Sequence, residues 1–213
     1  MMPVGQPKWR RRKEARPGEI VAAALEVFAE KGFAAARLDD IAARAGVSKG
    51  ALYLYFETKQ ELFAAVVRDA ISPNIAVVEA AAAAIDLPFA QTSRVLLGRA
   101  ADLLASSPVG PVAKMVIAES RNFPELARVW HDEVVSRVLG VMSGLIERAQ
   151  ARGEIRPGDP RFHALALIGP LLMGVLWGEV LVPVGAAPID LKALASQHIE
   201  TVLHGLLAEG GRR

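Results

Sequence analysis

Apolar residues recur three and four positions apart along nearly the whole chain, and no stretch alternates apolar with polar residues as a half-buried strand does. The pattern predicts an all-α protein. A first helix over 17–31 opens on Pro17, which suits a first helical position, carries the stripe Ile20, Ala24, Val27 and Phe28, and ends at Gly32. A short helix over 39–45 follows, with Leu38, Ile41, Ala42 and Ala45 inward. Gly46 can take the left-handed conformation that turns the chain, Val47 plugs the turn, and Ser48 caps a further short helix in which Leu52 and Phe56 share the inward face. Thr58 and Glu61 form a capping box for a fourth helix, which runs through Leu62, Phe63, Val66 and Val67 toward Ala84 and is interrupted by Pro73. Beyond it the periodicity predicts helices at about 90–106, 109–121, 124–151, 159–181 and 190–208. Pro124, Asp159 with Pro160, and Asp190 mark three of their starts.

Segment 46–62 carries the candidate chemistry. Two short helices joined by a glycine turn, the second presenting a lysine and two tyrosines outward, are the sequence form of a helix-turn-helix. Such motifs set the first residues of their second helix against base edges in the major groove. Lys49 can donate to a guanine, Ala51 offers only apolar contact such as with a thymine methyl, and Gly50 lets the backbone approach closely. Tyr53, Tyr55 and Lys59 suit phosphates, which position a protein without reading sequence.

The first 68 residues resemble the DNA-binding domain of the TetR (tetracycline-repressor) family. The matching residues are Ala24, Phe28, Gly32, Phe33, Ile41, Ala42, Ala45, Gly46, Val47, Ser48, Gly50, Leu52, Tyr53, Tyr55, Phe56, Lys59 and Leu62, about a third of the chain in one register. The resemblance implies a three-helix DNA-binding domain over 17–68 after a basic arm over 1–16. It implies a C-terminal helical domain over 69–213 that encloses a small-molecule pocket and dimerises. Its implied activity is that of a homodimeric repressor, released from a palindromic operator when a small hydrophobic ligand binds. On that basis the DNA contacts are Arg37, Ser48, Lys49, Gly50, Ala51, Tyr53, Tyr55 and Lys59. Arg37 departs from the family, which usually caps this helix with Ser or Thr; the missing cap costs about 1 kcal/mol. Arg37 either contacts a phosphate or is a solvated surface arginine.

Charge fits that division. The net charge is +2, but residues 1–68 hold 12 Lys and Arg against 8 Asp and Glu, and residues 69–213 hold 13 against 15. Positive charge thus gathers where phosphate would be met. Much of it lies in the arm, at Lys8, Arg10, Arg11, Arg12, Lys13 and Arg16. With Pro3, Gly5 and Pro7 nearby the arm is expected to be disordered, and either tracks the DNA or serves as a solubilising tail. The absence of cysteine excludes disulfides and thiol chemistry, and the first residues lack the apolar core of a signal peptide, so a cytoplasmic location is expected.

The stretch 164–178 has no charge, but at 15 residues with Gly169, Pro170 and Gly174 inside it is short for a bilayer, so no membrane partner is expected. A helix buried on several sides fits better, packed against a partner subunit as well as its own domain. The resemblance places the dimer interface on the helices at 159–181 and 190–208. Pocket candidates are large or polar groups on apolar faces: Met115 with Glu119, Trp130 with Val134, Val138 and Met142, and Met173 with Trp177, where Pro170 can kink the helix to open space. For each Met and Trp the favoured reading is core packing, and Glu119 is also a candidate for pairing with Arg121 or Arg128. The segment 116–128 resembles a C-terminal subtype frequent in regulators of efflux or stress genes, with Phe123 and Leu126 packing.

Enzyme chemistry finds no support: the chain has no cysteine nucleophile, no HExxH and no glycine-rich phosphate loop after a strand. Four histidines without ligand spacing, His131 and His163 among them, give no metal site, and no cofactor is expected. The competing reading is a helical binding module whose DNA contacts are architectural or vestigial and whose C-terminal domain binds a protein or lipid-like partner. Pro73 lies between pocket and DNA-binding helices and is the expected bend that couples them.

Overall fold

The structure, a computed structural model, describes residues 8–207, and side chains from Pro17 onward. Eleven α-helices make up this part: α1 Lys8–Ala35, α2 Leu38–Arg44, α3 Lys49–Tyr53, α4 Lys59–Val66, α5 Ser72–Ala84, α6 Phe89–Ser106, α7 Val109–Glu119, α8 Pro124–Trp130, α9 Ser136–Ala151, α10 Pro160–Val180 and α11 Leu191–Leu206. No strand longer than the single bridge between Ile155 and Leu207 occurs among the described residues.

The punctuation is largely that of the sequence. Gly32 takes φ 75°, ψ 169°, which no helix accommodates, so α1 stops there and resumes for one short turn. Gly46 is left-handed at φ 65°. Ser48 accepts from the Ala51 N–H, Thr58 and Glu61 make the reciprocal capping box, and Asp159 and Asp190 cap α10 and α11. Arg37 makes no side-chain cap for α2.

Two expectations are corrected. The backbone of residues 8–16 is helical and continuous with α1, with Pro17 inside the helix, where an irregular arm was expected; the run of arginine, lysine, glutamate and alanine there is made of strong helix formers. Residues 1–7, the rest of that arm, lie outside the described residues. Pro73 does not break the fourth helix. It sits in the first turn of α5, after a wide π turn over Val67–Ile71, so the chain from Lys59 to Ala84 stays helical and only changes register. A second π turn, His131–Val135, joins α8 to α9 beside the first. The two are tied where Arg68 Nε donates to Glu133 at 2.9 Å and Ser72 Oγ to the same carboxylate at 3.4 Å.

Two apolar cores result. The first collects Ile20, Phe28, Phe33, Ile41, Leu52, Leu62 and Phe63 from α1–α4 and the turn before α2, and takes in Ile71, Ile75, Met115, Leu126 and Val134. It therefore crosses the division placed at 68/69. Phe28, Phe33 and Phe63 stack mutually with centroids 5.5–6.3 Å apart, and Phe123, which follows α7, meets Phe33 edge-on at 5.0 Å. The second core lies among α6, α9, α10 and α11, on Leu96, Leu97, Ile146, Leu167, Leu171, Ile199 and Leu203.

Helix α10 buries Ala164, Leu167, Leu171, Gly174 and Val175 against its own chain. A Cβ on Gly174 would lie 2.7 Å from Leu191 Cδ2, so glycine is what allows α10 and α11 to close. Its other side leaves Phe162, Leu165, Leu172, Met173 and Val180 exposed, an apolar stripe at helical spacing with no cover from the described residues. Segment Pro160–Val184 is long and apolar enough to cross a membrane by length and composition, well beyond the uncharged stretch 164–178. Its buried face nevertheless belongs to the bundle.

Candidate functional site

Helix α3 is held to the protein by Leu52, fully buried, and by the half-buried Tyr55 and Phe56 just beyond it. Everything else on it faces out. Ser48, Lys49 and Gly50 are exposed, Ala51 is partly so, and Tyr53 is 43% exposed. The chain thus presents a short, apolar-anchored helix as a projecting ridge, the geometry a groove-reading helix needs.

Individual roles sort differently from the sequence expectation. Lys49 Nζ pairs with Asp39 Oδ1 at 2.8 Å, which raises its ammonium above the usual lysine range, and it lies 6.0 Å from the Tyr53 ring centre. The Ser48 hydroxyl serves the helix start, and Tyr55 packs on the first core. Lys59, expected on a phosphate, points inward. Its Nζ donates to the carbonyl oxygens of Phe33 at 2.5 Å, Ala34 at 3.1 Å and Ala36 at 2.9 Å, and sits 4.6 Å over the Phe33 ring. An ammonium has three donors, and all three are used. Burial lowers its pKa and the facing Glu119 carboxylate offsets part of that.

Glu119, expected in the pocket, is the counterpart of Lys59. Its carboxylate accepts from the Phe33 N–H at 2.7 Å and the Ala34 N–H at 2.5 Å. A Cβ at residue 32 would lie 2.6 Å from Glu119 Oε1, so Gly32 is required both by its positive φ and by this carboxylate. The turn between α1 and α2 is gripped from both sides. The last residue of α7 holds its N–H groups and the first residue of α4 holds its carbonyls.

Of the remaining pocket candidates, Val138 and Met142 line a small cavity. It measures about 50 Å³ and is walled by Ile75, Val78, Glu79, Leu96, Val141 and Leu171 among others, from α5, α6, α9 and α10. Met115, Trp130 and Val134 pack in the first core, which Val138 also touches, while Met142 belongs to the second, so the stripe runs from one core into the other. Met173 is on the uncovered face of α10, and Trp177 donates its indole N–H to the Ala187 carbonyl at 2.9 Å, pinning the α10–α11 connection. A wider groove of about 590 Å³ shares Glu79 and Val141 with the cavity and runs over Ala82, Gly140 and Gly144 to Arg148. Glu79, where the two meet, is bound by Arg137 at 2.9 and 2.6 Å, which holds its carboxyl below the usual range. The signal for this site was the paired small residues and the i, i+3, i+4 sets Ile75–Val78–Glu79 and Val138–Val141–Met142, not the large side chains. His131 pairs with Asp132, and among the described residues no cluster of ligating side chains could hold a metal.

Residues 20–66 match the family described as bacterial regulatory proteins, tetR family, and residues 90–191 match the tetracyclin repressor-like C-terminal domain. The transcriptional repressor BepR of Brucella suis biovar 1 is 30% identical over 214 residues, covering 93% of this chain and 97% of that one. SmeT, the repressor of a multidrug efflux pump of Stenotrophomonas maltophilia, is similar in its triclosan complex at TM-score 0.74 and 25% identity, over 93% of this chain and 95% of that one. The regulator FadR of Bacillus subtilis, solved with stearoyl-CoA, shares the fold at TM-score 0.73 and 23% identity, over 88% and 98%. Matched at both its DNA-binding and its C-terminal halves, the chain belongs to the TetR family of bacterial DNA-binding transcriptional regulators, which are not enzymes.

Proposed function

We propose that the protein is a homodimeric, cytoplasmic repressor that binds a palindromic operator through α3 and is released by a small, mainly apolar ligand. The projecting α3, anchored through Leu52 and otherwise exposed, carries this reading. The uncovered stripe of α10 supports the dimer: a second copy related by a two-fold axis would bury it and present two α3 helices to half-sites about one DNA turn apart. Of the sequence-derived DNA contacts, Arg37, Gly50, Ala51 and Tyr53 stay in place; Lys49 takes part once Asp39 yields it, and Ser48, Tyr55 and Lys59 act by holding the motif together.

The ligand site is the cavity beneath α5 together with its groove. Alone the cavity is smaller than the few hundred Å³ typical of ligand pockets, so occupation must displace α5 or fill the groove as well. Displacing α5 moves α4 through the π turn and Pro73, and α4 carries Lys59. A ligand shifts DNA affinity only by its preference for one arrangement over the other. BepR and SmeT, both repressors, and triclosan bound to SmeT support this direction.

Selection from random duplex DNA with the purified protein at physiological salt tests the reading. A two-fold symmetric site, bound by a dimer, is expected. A folded protein that enriches no sequence would refute it and favour a binding module with architectural contacts.

A further inference from the structure

Given that proposed DNA-binding role, on which this inference rests, Leu54 is an exposed residue of the reading surface. Leu54 follows the last residue of α3 and keeps helical angles, φ −70° and ψ −19°. It is 81% exposed, the most exposed large apolar side chain among the described residues. An α-helix advances about 100° per residue, so residues 50 and 54 both lie about 160° from buried Leu52 and crown the outermost line of the ridge. Gly50 leaves that line bare, since a Cβ there would meet nothing within 4 Å. One turn on, Leu54 fills it. Beside them stand Ala51 and Tyr53, while the nearest cation, Lys49, is drawn aside by Asp39. The crest of the ridge, Gly50 and Leu54, therefore has no side-chain hydrogen-bonding group, and the Tyr53 hydroxyl stands on its flank. On the major-groove floor the apolar group is the thymine 5-methyl; every other distinguishing feature is a donor or acceptor.

We propose that Leu54 is a specificity-determining residue that reads a thymine 5-methyl in each half-site, with Gly50 giving the clearance that lets the ridge reach it. Recognition at this position is by shape and desolvation. A hydrogen-bond reader would discriminate by leaving polar groups unpaired, whereas this contact discriminates by the fit of one methyl group against one isobutyl group.

The test uses the full-length protein and its selected operator, with each thymine replaced in turn by deoxyuridine, which removes only the methyl. Affinity is measured by fluorescence anisotropy at fixed salt for the wild type and for Leu54→Ala. Burying one methyl is worth about fourfold in binding, so replacement at the same position of both half-sites is expected to weaken the wild type by roughly fifteenfold. Leu54→Ala is expected to bind the thymine operator more weakly by a similar factor and to be indifferent to that replacement. Its salt dependence should be unchanged, because no phosphate contact is lost. Leu54 touches no core, so far-UV circular dichroism should be that of the wild type. If the wild type binds its operator yet tolerates deoxyuridine at every position, or if Leu54→Ala keeps the full methyl dependence, the assignment is overturned while the repressor reading stands. If no operator is selected at all, both fall.

Discussion

Gly32→Ala puts the two-sided grip on the α1–α2 turn to a quantitative test. The backbone at residue 32 has φ 75°, ψ 169°, a region that residues with a side chain reach only with strain of about 1–3 kcal/mol. The new methyl would also lie 2.6 Å from Glu119 Oε1, so the carboxylate must withdraw. Withdrawal frees the Phe33 and Ala34 N–H groups, each bonded to a charged acceptor and worth about 1.5–3 kcal/mol, although part of that returns if water or a shifted carboxylate reaches them. The sum is about 4 kcal/mol, a large share of the roughly 5–15 kcal/mol typical of a folded protein. For a chain of this size each kcal/mol moves the Tm by about 2–4 °C, so a drop on the order of 10 °C is expected at matched protein concentration. Gly98→Ala is the control. It lies exposed in α6, a Cβ there meets nothing within 4 Å, and it should stabilise by up to about 1 kcal/mol. A Gly32→Ala protein within 2 °C of the wild type, on the order of half a kcal/mol, would show that the turn is not held as described.

Lys59→Met should destabilise by about 2–4 kcal/mol in urea unfolding, because three backbone carbonyls lose their donor, and should leave the salt dependence of DNA binding unchanged; a stable variant with a shallower salt slope would restore Lys59 to the phosphates. Asp159 is pulled from the usual 3.8 to about 2, first by the side-chain hydrogen bond from Arg161 and then by the Arg161 N–H. The folded carboxyl thus holds its proton less tightly than the unfolded one, so its stabilisation is complete above about pH 4 and lost as the pH falls toward about 2. Asp159→Asn should flatten the acid limb of the stability profile over that window, and an unaltered limb counts against the pairing. Met173→Glu places a charge on the uncovered face of α10, where Met173 is 62% exposed, and should give a folded monomer in sedimentation; an unchanged dimer would move the interface elsewhere.

What the sequence disclosed, it disclosed through local rules. Helix starts at Ser48, Thr58, Asp159 and Asp190 are side chains bonding to backbone two or three residues on, and the helical stripes need only the spacing of neighbours. Apart from the arm over 8–16, whose helix formers were there to be read, the misreadings are non-local or hidden in register. Lys59 reaches back 23–26 residues and Glu119 86 residues to satisfy one turn, and nothing in either neighbourhood distinguishes them from a phosphate ligand and a pocket acid. Trp130, Val134, Val138 and Met142 look like one face of one pocket, yet the first three pack on the first core and Met142 on the second, a division that spacing by four does not show. Leu54 escaped notice because leucine near a helix end reads as core; only the burial of Leu52 on the opposite side shows that it points away.

The paired π turns bear on how chain length can vary. A π turn is one residue more than an α-helix needs, so Val67–Ile71 and His131–Val135 amount to matching insertions in two adjacent helices, placed where the first core gives way to the second. Deleting one residue from either turn alone would straighten that helix and slide it about 1.5 Å past its neighbour, parting Arg68 from Glu133. Deleting one from each would keep the two in step. Single-residue length differences at this seam are therefore tolerable as a pair and costly one at a time, and a lineage that gains or loses one should be found to have balanced it across the seam.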